Sequence, residues 1–187
     1  MLEDVFMERI VRRKKDAMFY LKVAMVIATA FLLAITLSWI VLAISVLSFL
    51  LPLLLAGCGY GAWWVITSLD LEFEYIVTNG EIDIDSITHR RKRKRVFSGR
   101  SKDFEIMARL DSDEFRESAR MMEKDRRAKN IKILDCSAVP GRAANWYFIA
   151  NYKSNRLLVV FDPDERMLVN LKRFSPSKVK YNPLIHG

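Results

Sequence analysis

The sequence predicts an α+β membrane protein, in which a two-helix transmembrane hairpin is followed by a small antiparallel β-barrel or sandwich of about seven strands with a C-terminal helix. Two observations predict this fold class. From Val23 to Leu69 the chain contains no Asp, Glu, Lys or Arg. After Asp70 it alternates apolar and polar residues, which is the pattern of half-buried strands. The net charge of +8 and the 51% of hydrophobic residues are therefore segregated along the 187 residues.

The uncharged stretch is too long for one straight membrane span. Its 47 residues would form a helix of about 70 Å, whereas the hydrocarbon core of a bilayer is about 30 Å thick. Two antiparallel spans fit, and we place them at Phe19–Leu42 and Leu47–Leu69 with a tight turn around 43–46. The chain thus divides into a basic N-terminal segment, the hairpin and a β-domain, at 1–18, 19–69 and 70–187.

Basic residues flank the predicted hairpin on both sides. Arg12–Lys15 precedes the first span and Arg90–Arg95 follows the second. Short basic flanks stay on the cytoplasmic side, so we expect a multi-pass protein of the cell membrane with both termini in the cytoplasm. The tetrapeptide "LAGC", Leu55–Cys58, has the form of a lipoprotein signal. That alternative is disfavoured, because about 35 apolar residues precede the cysteine where a signal sequence has 7–15.

Small residues recur at a spacing of four in both spans. Gly57 and Gly61 form G-x-x-x-G in the second span, and Ala30 and Ala34 have the same spacing in the first. Small residues let helix backbones approach each other in lipid. Two interpretations follow, a face for a homo-oligomer or packing between the two spans of one chain.

The β-domain is predicted to begin with a hairpin. The alternating segment continues on both sides of Asn79-Gly80, the strongest short-range signal for a two-residue turn because both positions adopt positive φ. Further strand-like runs lie at Lys94–Ser98, Asp103–Leu110, Ile131–Ser137, Asn145–Tyr152 and Arg156–Phe161.

Two segments of this domain have helical periodicity instead. The segment near 111–129 repeats apolar residues at helical spacing after Asp111, and predicts a helical insert that mostly faces solvent. The segment near 163–174 begins with a capping Asp162 and with Pro163 at the first helical position, which predicts a C-terminal helix.

The layout of the whole chain resembles a known family. Two spans followed by "EYIVTNGEIDIDSITHRRKRKRVF", about seven strands and a C-terminal helix are similar to bacterial pleckstrin-homology-like (PH-like) domains fused to membrane hairpins. More closely, the chain resembles a family of bacterial membrane proteins classed as a domain of unknown function. The residues that carry the resemblance most specifically are Thr78–Gly80 and Arg90–Phe97. The resemblance implies the architecture and no established activity, and the insert near 111–129 departs from a minimal PH-like fold.

The sequence contains little that predicts chemistry. His89 and His186 are far apart, so no metal cluster is expected, and no nucleotide-binding, zinc-protease or nucleophile-elbow motif occurs. Cys58 and Cys136 suggest no disulfide framework. The spans carry no Asp, Glu or His, which proton relays and ion paths normally need. We therefore predict a protein that is not an enzyme and has no cofactor.

Four acids occur in pairs at strand spacing, Glu72/Glu74 and Asp83/Asp85. Each pair points to one face of its strand. We expect a solvated acidic face here rather than a general acid and base.

The unbroken basic run is the most specific functional signal, and its members are Arg90, Arg91, Lys92, Arg93, Lys94 and Arg95. Each Lys or Arg near an anionic membrane surface contributes about 1 kcal/mol, so one hypothesis is contact with anionic headgroups. A topology signal without a ligand is the other. Nucleic acid is disfavoured, because no aromatic residues alternate with the charges.

These observations predict a non-enzymatic, membrane-anchored interaction module. Its β-domain would contact a protein partner or anionic lipid headgroups. The alternative is a component of a membrane enzyme or transport complex whose site has no recognisable motif.

Overall fold

The computed structural model describes residues 6–89, 92–127 and 131–182. The helices are α1 Ala17–Ala43, α2 Leu51–Ser68, α3 Asp113–Arg127 and α4 Glu165–Phe174. The strands are β1 Phe6–Arg12, β2 Leu71–Thr78, β3 Glu81–Thr88, β4 Lys92–Arg100, β5 Phe104–Arg109, β6 Ile131–Asp135, β7 Trp146–Tyr152 and β8 Asn155–Phe161. The chain divides into two compact units, a helical unit around α1 and α2 and a β unit that holds the sheets, α3 and α4.

The helical unit is the predicted hairpin. Both helices are long and apolar enough to cross a membrane. α1 begins where the Asp16 carboxylate accepts a hydrogen bond from the Phe19 N–H at 2.9 Å, a side-chain cap of the usual kind. It ends at Ala43, the next residue Ile44 has an extended backbone, and a 3-10 turn at Ser45–Leu50 leads into α2. The predicted turn around 43–46 therefore coincides with the end of α1.

Hydroxyl groups within these helices are bonded to their own backbone. Thr29 donates to the carbonyl of Met25, and Ser68 donates to the carbonyl of Trp64. Since an unsatisfied hydroxyl is costly in hydrocarbon, such local bonds make these residues compatible with a lipid environment.

The β unit is a sandwich of two four-stranded sheets. One sheet has the order β1-β2-β3-β4 and the other has the order β5-β7-β8-β6, in which β6 runs parallel to β8. Among the described strands the sheets do not close into a barrel, so the sandwich alternative is the correct one. An aromatic cluster lies in the core, where the Phe148 ring stacks on Phe104 at 4.3 Å and lies 4.9 Å from Phe97.

Strand β1 was not predicted from the sequence. Residues 1–18 were expected to form a basic segment outside the β-domain, which was placed at 70–187. In the structure, β1 pairs antiparallel with β2 from Phe6↔Thr78 to Arg12↔Glu72. Val11 of β1 is 6% exposed, so the strand contributes to the core. The two apolar helices thus lie in the chain between two neighbouring strands of one sheet, and the described residues form eight strands where about seven were expected.

The predicted helical insert is α3, and it is not merely a solvated helix. Phe115 packs edge-on against the Tyr147 ring at 5.0 Å, and Ser118 hydrogen-bonds the Tyr147 hydroxyl at 3.1 Å. Phe115 and Ala119 pack on an apolar cluster formed by Ala108, Ile131, Tyr147, Ile149, Leu158 and Val160. The insert therefore covers a face of the second sheet that would otherwise be exposed.

The register of β1 and β2 allows a direct test of this architecture. Joining Arg12 to Glu72 through Asn-Gly, and so deleting 13–71, copies the native connection between Thr78 and Glu81. We expect this fusion to fold as a soluble domain, because the two-residue turn restores the paired strands.

The matched control is the fragment 70–187, which lacks β1. Its free energy of unfolding in urea should be lower by at least about 2 kcal/mol, the contribution of burying one aliphatic side chain such as Val11. Equal stabilities of fusion and fragment would show that β1 contributes nothing to the domain.

Candidate functional site

The described part of the basic run lies on β4, at an edge of the first sheet, and two of its arginines are paired. Arg93 lies 3.0 Å from the Glu74 carboxylate. Arg95 lies 2.7 Å from Asp83 and also donates to Asp85. Their spacing of two places both side chains on one face of the strand. Arg90 and Arg91, which the sequence analysis also proposed for lipid contact, lie outside the described residues.

The four paired carboxylates were expected to form a solvated face, and that expectation is wrong for Glu72, Glu74 and Asp85, which are buried, whereas Asp83 is partly exposed. The Glu74 side chain is 1% exposed, and Glu72 is largely buried and lies 2.9 Å from Arg12. The acids occupy central strands of the sheet while their cationic partners come from the two edge strands. Sequence spacing identified a common face, but the sequence does not show that arginines on neighbouring strands cover it.

The two lysines of β4 differ from the arginines. Lys92 and Lys94 are exposed, and neither forms an ion pair or hydrogen bond within the described ranges. The alternation of side chains along a strand explains the division of the run. The arginine positions 93 and 95 carry charges compensated by carboxylates, whereas the lysine positions present uncompensated charges to solvent.

Glu74 has an unusual protonation equilibrium. Burial raises its pKa above the ordinary value of 4.5, a hydrogen bond with Glu8 raises it further, and the nearby Arg93 guanidinium opposes the change. The Arg93 nitrogen is within ion-pair distance of the Glu74 Oε2 atom, but the groups are not aligned as a hydrogen bond, and Oε2 has no hydrogen-bond partner in the structure. Imperfect alignment is consistent with a pair that compensates only part of the desolvation.

The predicted helix-packing residues behave differently in the two spans. A Cβ atom added to Gly57 or Gly61 would meet nothing within 4 Å, so packing between the two spans does not explain these two glycines. Ala30 and Ala34 in α1 are half-buried. A face for a second copy remains a prediction for the glycine pair.

A pocket lies at the far end of β4 from the lysines. It has a volume of about 330 Å³. Its lining residues are Thr78, Asn79, Gly80, Glu81, Arg100, Ser101, Lys102 and Phe174. The Asn79-Gly80 turn was predicted correctly, and both residues have positive φ, 49° and 81°. The pocket was not predicted, because the end of β4, the 3-10 turn at Ser101–Asp103 and α4 come close to Asn79-Gly80 only in the folded protein.

Several contacts position the pocket walls. The Gly80 N–H donates to the Asn170 side chain at 3.0 Å, and the Ser101 N–H donates to the Gly80 carbonyl at 2.8 Å. The Ser101 side chain is fully buried, yet its hydroxyl has no hydrogen-bond partner in the described protein. An unmade hydrogen bond of a buried group costs roughly 1–3 kcal/mol. The Ser101 hydroxyl is therefore a buried polar group whose hydrogen bonds the described protein does not satisfy.

Other residues with possible chemistry are structural or isolated. The buried Cys136 thiol has a pKa raised to about 12, mainly by burial, which makes it unreactive at neutral pH. The His89 ring lies 5.7 Å from the Trp64 ring, and His186 lies outside the described residues. No group of three or more His, Cys, Asp or Glu residues suited to a metal occurs in the described part of the chain.

The raised pKa of Glu74 predicts a dependence of stability on pH. The folded protein binds this proton more tightly than the unfolded chain does. Its free energy of unfolding should therefore fall as pH rises from below 4.5 through the raised pKa. Glu74→Gln should remove that fall, measured by denaturant unfolding at several pH values. Glu72→Gln, which removes a carboxylate from the same strand, should retain it, and an unchanged pH profile in Glu74→Gln would contradict the assignment.

The tight contact between Gly80 and Phe174 predicts a second effect on stability. A Cβ atom at Gly80 would lie 2.5 Å from the Phe174 Cβ atom, in addition to the strain of a positive φ. Gly141 has a similar φ of 70° but nothing within 4 Å, so it is a matched control.

We expect Gly141→Ala to cost about 1–2 kcal/mol of backbone strain, and Gly80→Ala to cost about 1–3 kcal/mol more from overpacking. Denaturant unfolding of the two variants measures the difference. Equal losses of unfolding free energy in the two variants would mean that the Phe174 side chain moves aside without an energetic cost.

Comparison with known proteins agrees with this architecture. A family model described as "Bacterial PH-like domain (DUF6106)" matches residues 3–181. The match includes β1, the two apolar helices and both sheets, and the family has no assigned function. No curated protein and no solved structure matches the chain. Because the family model covers nearly the whole sequence, the chain belongs to this family of bacterial PH-like domains.

Proposed function

We propose that the protein is a non-enzymatic, membrane-anchored interaction module whose β unit contacts anionic lipid headgroups through the exposed lysines of β4. The observation that carries this proposal is the division of the basic run. Lys92 and Lys94 have no acidic partner in the described ranges, whereas Arg93 and Arg95 are paired with carboxylates. The PH-like fold of the family is consistent with a binding role.

Electrostatics favour such contact once the domain is tethered. Each lysine near an anionic surface contributes about 1 kcal/mol, and Lys92 follows Leu69 by only 23 positions in the chain. A short tether keeps the effective concentration of the surface high, so weak contacts suffice. Of the six basic residues expected from the sequence to contact lipid, we retain Lys92 and Lys94. The charges of Arg93 and Arg95 are already compensated by carboxylates within the sheet.

Exposed lysines on an edge strand have a second role that needs no ligand. Lysine side chains discourage pairing with strands of other molecules. This role also accounts for cations at β4, but it does not require that they respond to lipid composition. The two roles are therefore separable by experiment.

The orientation that we propose follows from the basic flanks. The basic residues of Arg12–Lys15 and of the β4 run favour an orientation with both ends of the hairpin at the cytoplasmic face of the cell membrane. The β unit would then meet the leaflet in which anionic lipids carry the surface potential.

Lysine footprinting of the full chain in nanodiscs tests the proposal. The acetylation rates of Lys92 and Lys94, measured by mass spectrometry, should fall when phosphatidylglycerol replaces part of the phosphatidylcholine. A contact of about 1 kcal/mol corresponds to about a fivefold fall. The rates should recover in 1 M salt, where the Debye length is about 3 Å.

Lys132 of β6 is exposed and serves as the internal control, since its rate should not change. In intact cells a membrane-impermeant amine reagent should leave Lys132 unmodified, as the proposed orientation requires. Equal rates for Lys92 and Lys94 in both lipid compositions would rule out lipid contact and leave the edge-protection role.

A further inference from the structure

We propose that the pocket beside the Asn79-Gly80 turn binds a phosphate monoester group, carried either by a small soluble molecule or by a lipid headgroup. This site is distinct from the lysines of β4. Arg100 follows Lys94 by six residues, which corresponds to about 20 Å along a strand. The inference therefore does not depend on the proposed contact of Lys92 and Lys94 with the membrane.

The size and shape of the pocket suit a small ligand. Its volume of about 330 Å³ lies at the lower end of the range of roughly 300–1,000 Å³ typical of small-molecule sites. Phe174 supplies an apolar wall, and its ring lies close against the Gly80 backbone. The remaining lining is polar, so one ligand would meet an aromatic surface on one side and donors on the other.

The charges of the lining favour an anion. Arg100 and Lys102 line the pocket together with a single acid, Glu81. Arg100 contacts Asp103 at 3.1 Å, but both side chains are more than half exposed, and such a pair is weak enough for a ligand to replace. Lys102 has no acidic partner in the described protein, and Lys178 donates to the Lys102 carbonyl at 3.1 Å, which brings a third cation to the same loop.

The buried hydroxyl of Ser101 is the second, independent indication. Ser101 lies between the two basic residues in sequence and belongs to the pocket lining. Its hydroxyl is covered and has no hydrogen-bond partner among the described residues, so it donates to a ligand only after its side chain turns into the pocket. Buried polar groups are nearly always satisfied by protein, water or ligand. The oxygens of one phosphate group accept from a hydroxyl, a guanidinium and an ammonium together, and the planar guanidinium suits the group especially well.

A phosphate monoester fits this set of donors better than a carboxylate does. Its near-dianionic charge at neutral pH matches two cations, and its three terminal oxygens match the three donors Arg100, Ser101 and Lys102. A carboxylate would leave one donor without an acceptor oxygen of its own.

Selective labelling of glycine in the full chain provides the test. The chain has seven glycines, so the Gly80 amide can be followed by NMR in ¹⁵N-glycine protein reconstituted in phosphatidylcholine nanodiscs. Inorganic phosphate, titrated against chloride at constant ionic strength, should shift the Gly80 signal in a saturable way and leave Gly141 and Gly57 unchanged. A second sample with phosphatidic acid in the nanodisc tests the same group on a lipid.

A Gly80 shift with inorganic phosphate assigns a soluble ligand, and a shift only with phosphatidic acid assigns a lipid headgroup. The double variant Arg100→Gln/Lys102→Gln should weaken the apparent Kd at least tenfold in whichever arm responds. Lys102→Gln alone, at an exposed position where folding is not at risk, should weaken it severalfold, as should Ser101→Ala.

Lys92→Gln/Lys94→Gln removes the same charge from the other end of β4 and should leave the Kd unchanged. Absence of a saturable Gly80 shift in both arms would overturn the proposal. Equal weakening by both double variants would overturn it as well, since it would show a general effect of net charge.

Discussion

The pairing of β1 with β2 is the interaction on which the architecture depends. Arg12 and Glu72 are adjacent in the sheet although 60 positions separate them in sequence. Closing a loop of that length costs entropy, but the cost grows only slowly with length, and an antiparallel helical hairpin returns the chain to its starting point. The two apolar helices therefore take the place of a β-turn in the chain, because they connect two strands that are neighbours in the sheet.

The same sheet explains how part of the charge of the basic run on β4 is compensated. Arginine occupies the positions of β4 that contact Glu74, Asp83 and Asp85, whereas lysine occupies the positions that face water. This distribution agrees with the chemistry of the two side chains, because a guanidinium forms directed pairs with carboxylates and an ammonium is strongly hydrated. The number of charges in such a run is thus a poor measure of the charge available to a ligand.

The described protein offers two polar surfaces at opposite ends of β4. One is the pair of exposed lysines, and the other is the pocket between the Asn79-Gly80 turn, the loop at Ser101 and the end of α4. The pocket depends on contacts among all three segments, since Gly80 bonds to Asn170 and Ser101 bonds to Gly80. A ligand in the pocket would contact Phe174, the last residue of α4, and would thereby affect how α4 packs against the first sheet.

The sequence by itself determined the features that depend on local patterns. The two apolar helices, the Asn79-Gly80 turn, α3 and α4 were all predicted, because hydrophobic periodicity and turn residues act over a few positions. The predicted cap of α4 was wrong, since Asp164 and not Asp162 caps the helix. The tertiary structure decided the rest: strand β1, the parallel pairing of β6 with β8, the burial of Glu74 and the pocket around Ser101. Each of these features depends on partners that are distant in sequence. The local sequence of a segment does not indicate which strand will pair with it or which of its charges will be compensated.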